Sequence, residues 1–330
     1  MSRIAVLGAG AWGTALALSL ARRGGHQLFL WSHSPALAQQ LSEAGENLPY
    51  LPGFTLPVDI HVTSDLPRAI FEADILLCVT PSQHLRGVLT HIAPLLTRDQ
   101  IILSGSKGIE ETSFLRMSQV VASVTRNPFA VLSGPSFAQE VAAGMPTAVV
   151  VASETPQVAQ TIQRDFTSSS LRVYTNEDVP GVELGGSLKN VIALAAGVAN
   201  GLNLGHNSSA ALITRGIAEM TRLAVACGGR RQTLAGLSGA GDLILTCTGS
   251  LSRNRAVGIE LGRGRQLPDI IAGLNGKVAE GVRSTAAALG LAARYAVEMP
   301  ITQQVDAILH HNKSPREAIR ELMARPGRDE

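Results

Sequence analysis

One stretch of the sequence decides the fold, IAVLGAGAWGTALALSLARR at residues 4–23. It consists of a short apolar run, a glycine-rich turn at residues 8–13, and a helical segment that Gly24 and Gly25 end. A strand that leads through a tight turn directly into a helix is the start of a βαβ unit, in which helices connect parallel strands. The N-terminal part of the chain is therefore predicted to be an α/β domain.

Further apolar runs follow in the first half of the chain, with helical patterns or glycine and proline turns between them. They lie at residues 28–31, 75–79, 101–103, 130–132 and 148–151. Continuous apolar runs are typical of strands that are buried on both faces of a mostly parallel sheet. We expect this α/β domain to cover residues 1–180.

The second half of the chain has a different pattern, because no convincing strand appears after residue 181. Segments with helical character lie at residues 184–199, 209–227, 283–295, 301–311 and 315–324. We therefore predict an all-helical domain over residues 181–330, with the boundary between Asn176 and Glu183. Two domains also agree with the length of 330 residues, since a domain has about 100 to 200 residues.

Composition excludes several classes of protein. Hydrophobic residues make up 45% and charged residues 16%, which provides a large core and excludes a disordered chain. The formal charge is only +2 and aromatic residues make up 4%, so no nucleic-acid partner is expected. A signal peptide and a bilayer-spanning run are not visible, and we expect a soluble, cytoplasmic protein that does not insert into membranes.

The sequence has no motif for a metal or for a disulfide framework. Cys78, Cys227 and Cys247 are far apart, and each lies in an apolar run, so we expect buried and reduced thiols. The HExxH, P-loop and GxSxG motifs are missing, and the adjacent His310 and His311 lack the spacing of zinc ligands. No metal is expected, and hydride chemistry is what remains.

The turn after the first strand matches the pattern GxGxxG. Here Gly8 permits a tight turn, Gly10 lets the backbone approach a pyrophosphate, and Gly13 allows the helix to pack closely on the strand. The pyrophosphate would rest on the helix N-terminus, where N–H groups and the helix dipole favour an anion. The motif predicts a Rossmann-type dinucleotide-binding domain, and the alternative is a glycine turn with a structural role only.

The end of the second predicted strand bears on which dinucleotide is bound. The chain continues there as Ser32-His33-Ser34, where an enzyme strict for NAD usually has Asp or Glu to bind the ribose hydroxyls. A hydroxyl and an imidazole do not repel a 2′-phosphate. We therefore expect NADP(H) and/or NAD(H) as cofactor, with a preference for NADPH.

Polar groups follow two of the predicted strands at the carboxyl ends, where open α/β sheets bind ligands. Lys107 follows the strand at residues 101–103, and its small neighbours leave the ammonium unobstructed towards a phosphate. Gly134 and Ser136 follow the next strand, where Gly and Pro hold the backbone open beside a hydroxyl. The alternatives are a solvated loop lysine and an ordinary strand-to-helix turn.

Lys189 is the lone charged residue between residues 184 and 214. A cation is costly to bury in an apolar helix unless its charge is used. Burial lowers the pKa of a lysine, which would suit proton exchange with a substrate hydroxyl near neutral pH. The alternative is a lysine whose ammonium reaches the surface.

Two later segments add charged groups. Asp242 lies between a glycine-rich turn and an apolar run, where it caps a helix, orients Lys189 or holds a substrate hydroxyl. The cluster at residues 252–255, Ser-Arg-Asn-Arg, offers guanidinium groups for bidentate binding of phosphate or carboxylate and an amide donor. The alternative is a helix start, with Ser252 as the cap and solvated arginines.

Together these segments resemble the bacterial type of the glycerol-3-phosphate dehydrogenase [NAD(P)+] family. The matching stretches occur in family order over nearly the whole chain. They are GAGAWGTALA (8–17), SKGIE (106–110), SGPSFAQEVAAGMPTA (133–148), GVELGGSLKNVIALAAG (181–197), GLSGAGDLILTCT (236–248), SRNR (252–255), EGVRST (280–285) and EMPIT (298–302). The combination of GxxKN with GDLxLTC and SRN is specific to this family.

The resemblance implies roles for individual residues. Lys189 is implied to be the acid–base group and Asp242 to support it, while Arg253 and Asn254 hold a substrate phosphate. The implied substrate site consists of Lys107, Gly134, Ser136, Lys189, Asp242, Ser252, Arg253 and Asn254. The cofactor contacts, including the three motif glycines, are Gly8, Gly10, Ala11, Trp12, Gly13, His33, Lys107, Ala138, Arg253, Val278 and Glu280. Many bacterial members have Ser at the position of Ala11, so only a backbone contact is implied there.

The resemblance also implies the reaction, which is the reversible reduction of dihydroxyacetone phosphate to sn-glycerol 3-phosphate by NAD(P)H. This reaction supplies glycerophospholipid synthesis, and the family is expected to form homodimers. Two alternatives remain, another hydroxyacid or ketoacid reductase of the same architecture and a noncatalytic dinucleotide sensor. A substrate screen separates the reductases, whereas the sensor predicts cofactor binding without turnover.

Overall fold

The computed structural model describes residues 1–274 and 279–327. The chain divides into two units. The first consists of Met1–Lys107 and Leu115–Glu183, and the second of Gly108–Phe114 and the chain from Leu184 onward. The sequence pattern did not predict that residues 108–114 belong with the second unit. Ile109 and Phe114 explain this grouping, because both belong to the apolar core of the second unit.

The described residues contain ten strands, all in the first unit. They are β1 (Ser2–Leu7), β2 (His26–Trp31), β3 (Glu46–Asn47), β4 (Leu51–Thr55), β5 (Ile60–Thr63), β6 (Ile75–Cys78), β7 (Ile101–Ser104), β8 (Phe129–Ser133), β9 (Thr147–Ala152) and β10 (Leu171–Asn176). Eight of them form one sheet in the order β10–β9–β8–β7–β6–β1–β2–β5. Its neighbours are parallel except β8 and β9, which are antiparallel. The predicted mostly parallel sheet is confirmed.

Seven α-helices of the first unit surround this sheet. They are α1 (Ala11–Arg23), α2 (Pro35–Ala44), α3 (Leu66–Ile70), α4 (Leu85–Ile92), α5 (Met117–Val124), α6 (Ala138–Ala142) and α7 (Pro156–Phe166). The sheet separates two apolar cores. Along β1, Ile4 and Val6 enter one core, whereas Ala5 and Leu7 enter the other. This double burial is why β1 is apolar at every one of these positions.

The strands that the sequence did not predict are those without a continuous apolar run. β10 lies at one edge of the sheet, and its first four residues alternate between buried and exposed positions. β5 lies at the other edge, and only Ile60 of its four residues is fully buried. β3 and β4 form a separate two-stranded antiparallel ribbon. Edge strands have one pairing partner and more solvent, so they do not need an apolar side chain at every position.

The described part of the chain from residue 184 onward contains helices and no strand, which confirms the predicted helical half. The helices are α8 (Val179–Gly201), α9 (Gly205–Ala226), α10 (Arg231–Leu234), α11 (Asp242–Thr248), α12 (Arg253–Gly262), α13 (Leu267–Ala272), α14 (Glu280–Arg294), α15 (Pro300–His310) and α16 (Pro315–Met323). Helices α10 and α13 were not predicted, and the starts of α11 and α12 were considered only as alternatives for Asp242 and Ser252. By length and composition α8 could cross a membrane, but its apolar window is entirely buried within the structure, so it packs as a core helix.

Helices α8 and α12 cross with glycine against glycine. A Cβ at Gly258 would overlap the Leu194 carbonyl and lie 2.9 Å from the Gly197 Cα, and one at Gly262 would lie 3.0 Å from the Gly201 Cα. The glycines are four residues apart on each helix, so they form one face on each. Their missing side chains let the two backbones approach closely. This contact brings the start of α12 near the middle of α8.

Candidate active site

The glycine-rich turn lies where β1 ends, beside the end of β6. These two strands are neighbours in the sheet, while the chain continues from β1 to β2 on the other side, so the turn is at the topological switch point of the sheet. Gly8 has a φ of +130°, which side chains rarely adopt. A Cβ at Gly13 would overlap the Gly8 carbonyl oxygen, whereas one at Gly10 would meet nothing within 4 Å. The backbone at Gly10 therefore has open space beside it.

The start of α1 has the properties of an anion site. Its N-cap is Gly10, no side chain caps it, and its first turn contains no acidic residue. Nearby, Trp12 Nε1 and Thr80 Oγ1 are buried and have no hydrogen-bond partner among the described residues. Buried polar atoms normally have a partner. Three features of this turn fit a bound dinucleotide. They are the N–H groups of the first turn of α1, which no side chain caps, the buried polar atoms of Trp12 and Thr80, and the space beside Gly10.

The segment after β2 contains no carboxylate. Ser32 is 2% exposed, and its hydroxyl donates to the Ser34 carbonyl oxygen while it accepts from the Ser34 N–H. The hydroxyl of Ser32 is therefore used by the turn itself. His33 is exposed, and its ring stands at a right angle to the Trp31 ring with 6.1 Å between centroids. The side chain that this segment exposes directly after Ser32 is therefore the imidazole of His33.

Lys107, Gly134 and Ser136 meet at one carbonyl oxygen of the first unit. Lys107 Nζ donates to the Gly134 oxygen at 3.0 Å, and Ser136 Oγ donates to the same oxygen at 2.9 Å. Gly134 has a φ of +126°, and its backbone lies against Val149. This conformation turns the carbonyl towards both side chains. Ala138 follows closely in the chain as the first residue of α6.

Lys189, Asp242 and Thr246 form a buried cluster in the second unit. Lys189 Nζ donates to Asp242 Oδ1 at 2.5 Å and to Thr246 Oγ1 at 2.9 Å. Lys189 is 8% exposed and Asp242 is 1% exposed. Thr246 donates its own proton to the Asp242 carbonyl oxygen at 2.6 Å, so its oxygen accepts from the lysine. Two acceptors on Nζ suit an ammonium.

The chain places this cluster by means of glycines and one turn of helix. A π-helical turn, Leu237–Gly241, leads into α11, and a Cβ at Gly185 would lie 2.5 Å from the Ser238 carbonyl oxygen. The missing side chain lets the turn approach α8.

Asp242 and Thr246 are four residues apart on α11, so both point to the same side. The N-cap of α11 is Gly241, so Asp242 does not cap the helix. Thr246 was not predicted, although its spacing from Asp242 was a signal.

The cluster at residues 252–255 opens α12. Ser252 is its N-cap, and the hydroxyl accepts from the Arg255 N–H at 3.2 Å. Arg255 Nε donates to Asn200 Oδ1 on α8 at 3.0 Å. Arg253 is exposed as a residue, but protein around its guanidinium lowers the pKa below the usual range, and the Glu280 carboxylate opposes this shift. The helix-start interpretation thus holds for Ser252, while Arg253 lies close to a carboxylate.

Asn254 is buried and bonded on both sides of its amide. Its Nδ2 donates to Asn190 Oδ1 at 3.0 Å, and its Oδ1 accepts from the Gly281 N–H at 3.0 Å. Asn190 directly follows Lys189, and Gly281 directly follows Glu280, the first residue of α14. Val278, which the resemblance also places at the cofactor, lies outside the described residues.

The cysteines differ in burial. Cys78 and Cys247 are buried, and burial raises the pKa of each thiol to about 12. Both thiols are therefore protonated at neutral pH, including Cys247 beside Lys189. Cys227 is only partly buried, so the expectation of three buried thiols was wrong for this residue, which is at the C-cap of α9. The described residues contain no group of three or more potential metal ligands.

Two cavities of the first unit contain none of the predicted site residues. One of about 530 Å³ is lined by residues of β10 and the end of α7, among them Arg164 and Arg172. The other, of about 340 Å³, lies between α2 and β5.

Comparisons with known proteins agree with these features. Residues 3–159 match the NAD-dependent glycerol-3-phosphate dehydrogenase N-terminus, and residues 178–320 match the C-terminus of the same family. The chain is 61% identical to a glycerol-3-phosphate dehydrogenase [NAD(P)+] of Acidobacterium capsulatum, with both chains fully covered. It is 55% identical to that of Koribacter versatilis, over 100% of this chain and 99% of the relative.

Solved structures give the same result. The crystal structure of glycerol-3-phosphate dehydrogenase from Coxiella burnetii superimposes with a TM-score of 0.95 at 42% identity, over 98% of this chain and 99% of that one. A ketopantoate reductase from Ralstonia eutropha, at 17% identity and a TM-score of 0.62, shares the fold alone. The chain belongs to the NAD-dependent glycerol-3-phosphate dehydrogenase family.

Proposed function

We propose that this protein catalyses the reversible, NAD(P)H-dependent reduction of dihydroxyacetone phosphate to sn-glycerol 3-phosphate, which supplies glycerophospholipid synthesis. The observation that carries the catalytic assignment is the buried Lys189 held by Asp242 and Thr246. An oriented ammonium beside a ketone both stabilises negative charge on the oxygen and provides a proton. When bound, NAD(P)H supplies the hydride.

Lys189 is the proton donor in this proposal. An ammonium has three N–H donors, and the one directed at the ketone oxygen polarises the carbonyl and gives up its proton as the alcohol forms. Asp242 and Thr246 keep Nζ at a constant position during this step. In the reverse direction the neutral amine takes the proton from the alcohol of sn-glycerol 3-phosphate.

Arg253 is the proposed ligand of the substrate phosphate, since its planar guanidinium matches phosphate oxygens in a bidentate way. Ser252 supports it by capping α12. Lys107, Gly134 and Ser136 also line the substrate site in this proposal, and their convergence on one carbonyl oxygen supports a common role. Binding energy from the phosphate then fixes the carbonyl carbon for hydride transfer.

For the cofactor, we propose that the turn Gly8–Gly13 holds the pyrophosphate, with N–H groups at Gly10, Ala11 and Trp12 facing it. His33 faces the adenosine ribose, where an imidazole accepts NADP as well as NAD. Lys107, Ala138, Arg253, Val278 and Glu280 complete the proposed cofactor contacts.

We further propose that the protein acts in the cytoplasm as a homodimer. Sedimentation equilibrium would distinguish a dimer from a monomer.

The first test is oxidation of NADPH and NADH, followed at 340 nm, with dihydroxyacetone phosphate, dihydroxyacetone and pyruvate as separate substrates. We expect efficient turnover with the phosphorylated ketone only, and a higher kcat/KM with NADPH than with NADH. Turnover of pyruvate instead would indicate a reductase for ketoacids. Cofactor binding without turnover of any ketone would contradict a catalytic role.

A further inference from the structure

A chain of buried amides connects three helices of the second unit. It runs from the Asn190 side chain on α8 through the Asn254 side chain on α12 to the backbone N–H of Gly281 on α14. Both hydrogen bonds are 3.0 Å long, and Asn190 and Asn254 are 6% and 9% exposed. We call Asn190, Asn254 and Gly281 the amide chain.

The orientation of the Asn254 amide is determined by its partners. A backbone N–H can only donate, so the Asn254 atom that faces Gly281 is the oxygen. The amide nitrogen must then face Asn190, which presents its oxygen. Reversing the Asn254 amide would place donor against donor at Gly281, and this makes the direction of the chain unambiguous.

Each member of the amide chain directly follows a charged residue of the proposed site. Asn190 follows Lys189, Asn254 follows Arg253, and Gly281 follows Glu280. Arg253 and Glu280 also interact electrostatically. A displacement within the amide chain is therefore passed through a single peptide unit to a charged group.

Helix α14 depends on Asn254 for its start. The residue at its own N-cap is Ala279, which has no side chain that accepts a hydrogen bond. The Asn254 oxygen satisfies one of the N–H groups of the first turn, as a cap supplied by another helix. The fit is close, because a Cβ at Gly281 would lie 2.6 Å from the Asn190 carbonyl oxygen and 2.8 Å from Asn254 Oδ1.

We propose that Asn254 is a positioning residue which, together with Asn190, holds the N-terminus of α14 so that Glu280 and Arg253 keep a defined place relative to Lys189. This role is additional to the direct contact between Asn254 and the substrate phosphate that the family resemblance implies, because the amide chain uses only one of the two N–H donors of Asn254. The inference rests on the proposed function, in which Glu280 and Arg253 contact the cofactor.

The test measures NADPH affinity in the absence of any ketone, by fluorescence titration of Asn190→Ala and Asn254→Ala. A residue that only touches the substrate phosphate cannot change this affinity. Loss of the Asn254 cap, or of the Asn190 oxygen that orients it, should raise the Kd for NADPH about fivefold or more, and should also raise the KM for dihydroxyacetone phosphate. In the double variant the two effects should not add, since both changes break the same chain.

Two controls separate positioning from general loss of structure. Ser314→Ala removes an ordinary N-cap, whose hydroxyl accepts from the Glu317 N–H on α16, and should lower the Tm without changing Kd or KM. Asn190→Asp keeps an acceptor oxygen for Asn254 and should restore most of the NADPH affinity that Asn190→Ala loses. If Asn254→Ala does not fold, Asn190→Ala and Asn190→Asp still decide the question.

Failure of the proposed function would already appear in the wild-type protein, as absence of NADPH binding or of turnover. It is therefore distinguishable from failure of the positioning role, which only the variants test. If the wild type binds NADPH and reduces dihydroxyacetone phosphate, but Asn254→Ala raises only the KM of that substrate, Asn254 is a direct phosphate ligand and the proposal is wrong. Unchanged NADPH affinity in Asn190→Ala would equally overturn it. Parallel loss of NADPH affinity in both alanine variants, with restoration by Asn190→Asp, would support it.

Discussion

Lys189 shows how the environment of a single residue decides what it can do. The sequence identified it as a lone cation in an apolar helix, and the structure shows that its ammonium is bonded to a carboxylate and a hydroxyl. An unpaired charge in that position would be strongly unfavourable. These two hydrogen bonds allow the Lys189 ammonium to remain buried, and they hold it in one orientation.

The first prediction concerns this residue. Lys189→Ala removes the proposed proton donor but none of the proposed backbone contacts to the cofactor, so kcat should fall about 10²- to 10⁴-fold while the Kd for NADPH stays the same. Steady-state kinetics and fluorescence titration measure the two quantities. Lys313→Ala is the matched control, because Lys313 pairs with Glu321 elsewhere in the second unit. Activity equal to the wild type in Lys189→Ala would end the assignment.

The second prediction concerns Arg253. Arg253→Ala should reduce kcat/KM for dihydroxyacetone phosphate by about 10- to 100-fold, the effect of losing a hydrogen bond to a charged group, but should affect dihydroxyacetone far less. Arg255→Ala serves as control, since Arg255 bonds to Asn200 and is not assigned to the substrate. An equal loss with both ketones would show that Arg253 does not bind the phosphate.

At the scale of elements, the contact between α8 and α12 positions the proposed substrate-binding residues at the start of α12. Gly197 and Gly201 face Gly258 and Gly262 across this crossing, and no larger residue fits without separating the helices. Arg253 and Asn254 lie at the start of α12, so their reach towards α8 depends on how closely the two helices approach. A set of glycines distant from the chemistry therefore contributes to the geometry of the site.

The third prediction follows from this contact. Gly197→Ala places a Cβ against the Arg255 carbonyl oxygen, so it should destabilise the protein by about 1–3 kcal/mol and lower kcat/KM for dihydroxyacetone phosphate. Gly87→Ala in α4 is the matched control, because its Cβ would meet nothing within 4 Å and alanine is the better helix former. Thermal unfolding should show a lower Tm for the first variant only. An unchanged Tm in Gly197→Ala would mean that the helices can separate freely.

At the scale of the whole molecule, burial determines which thiols can react. Burial raises the pKa of Cys78 and Cys247 to about 12, so both thiols are protonated at neutral pH in the folded state. The reactive species is the thiolate. Unfolding returns these thiols to their ordinary pKa and exposes them, whereas Cys227 is already partly exposed in the native protein.

The fourth prediction is that an aromatic disulfide reagent at pH 8 modifies one thiol of the native protein quickly and all three after denaturation. Absorbance of the released thiolate measures the number. Cys227→Ser should remove the fast reaction and leave the slow one. Rapid modification of two or three thiols in native wild-type protein would show that the cores around Cys78 and Cys247 open easily.

The sequence by itself determined the fold class, because parallel strands buried on both faces must be apolar throughout, as at residues 4–7 and 75–78. It also indicated the dinucleotide turn, since only glycine fits at Gly8 and Gly13, and it marked Lys189 as a lone cation in an apolar helix. The edge strands β5 and β10 escaped prediction because one side of each has no neighbouring strand. Helices α10 and α13 escaped prediction because a few turns give too little periodicity to recognise, and for the same reason α11 and α12 were considered only as alternatives.

Only the tertiary structure decided which groups meet. Lys189 and Asp242 are far apart in the chain, and their bond exists because glycines let the turn before α11 approach α8. Thr246 entered the cluster for the same reason, and the structure shows that the Asn254 side chain links three helices. Spacing along a sequence encodes contacts within one strand or helix, whereas contacts between elements depend on close packing that no single segment contains.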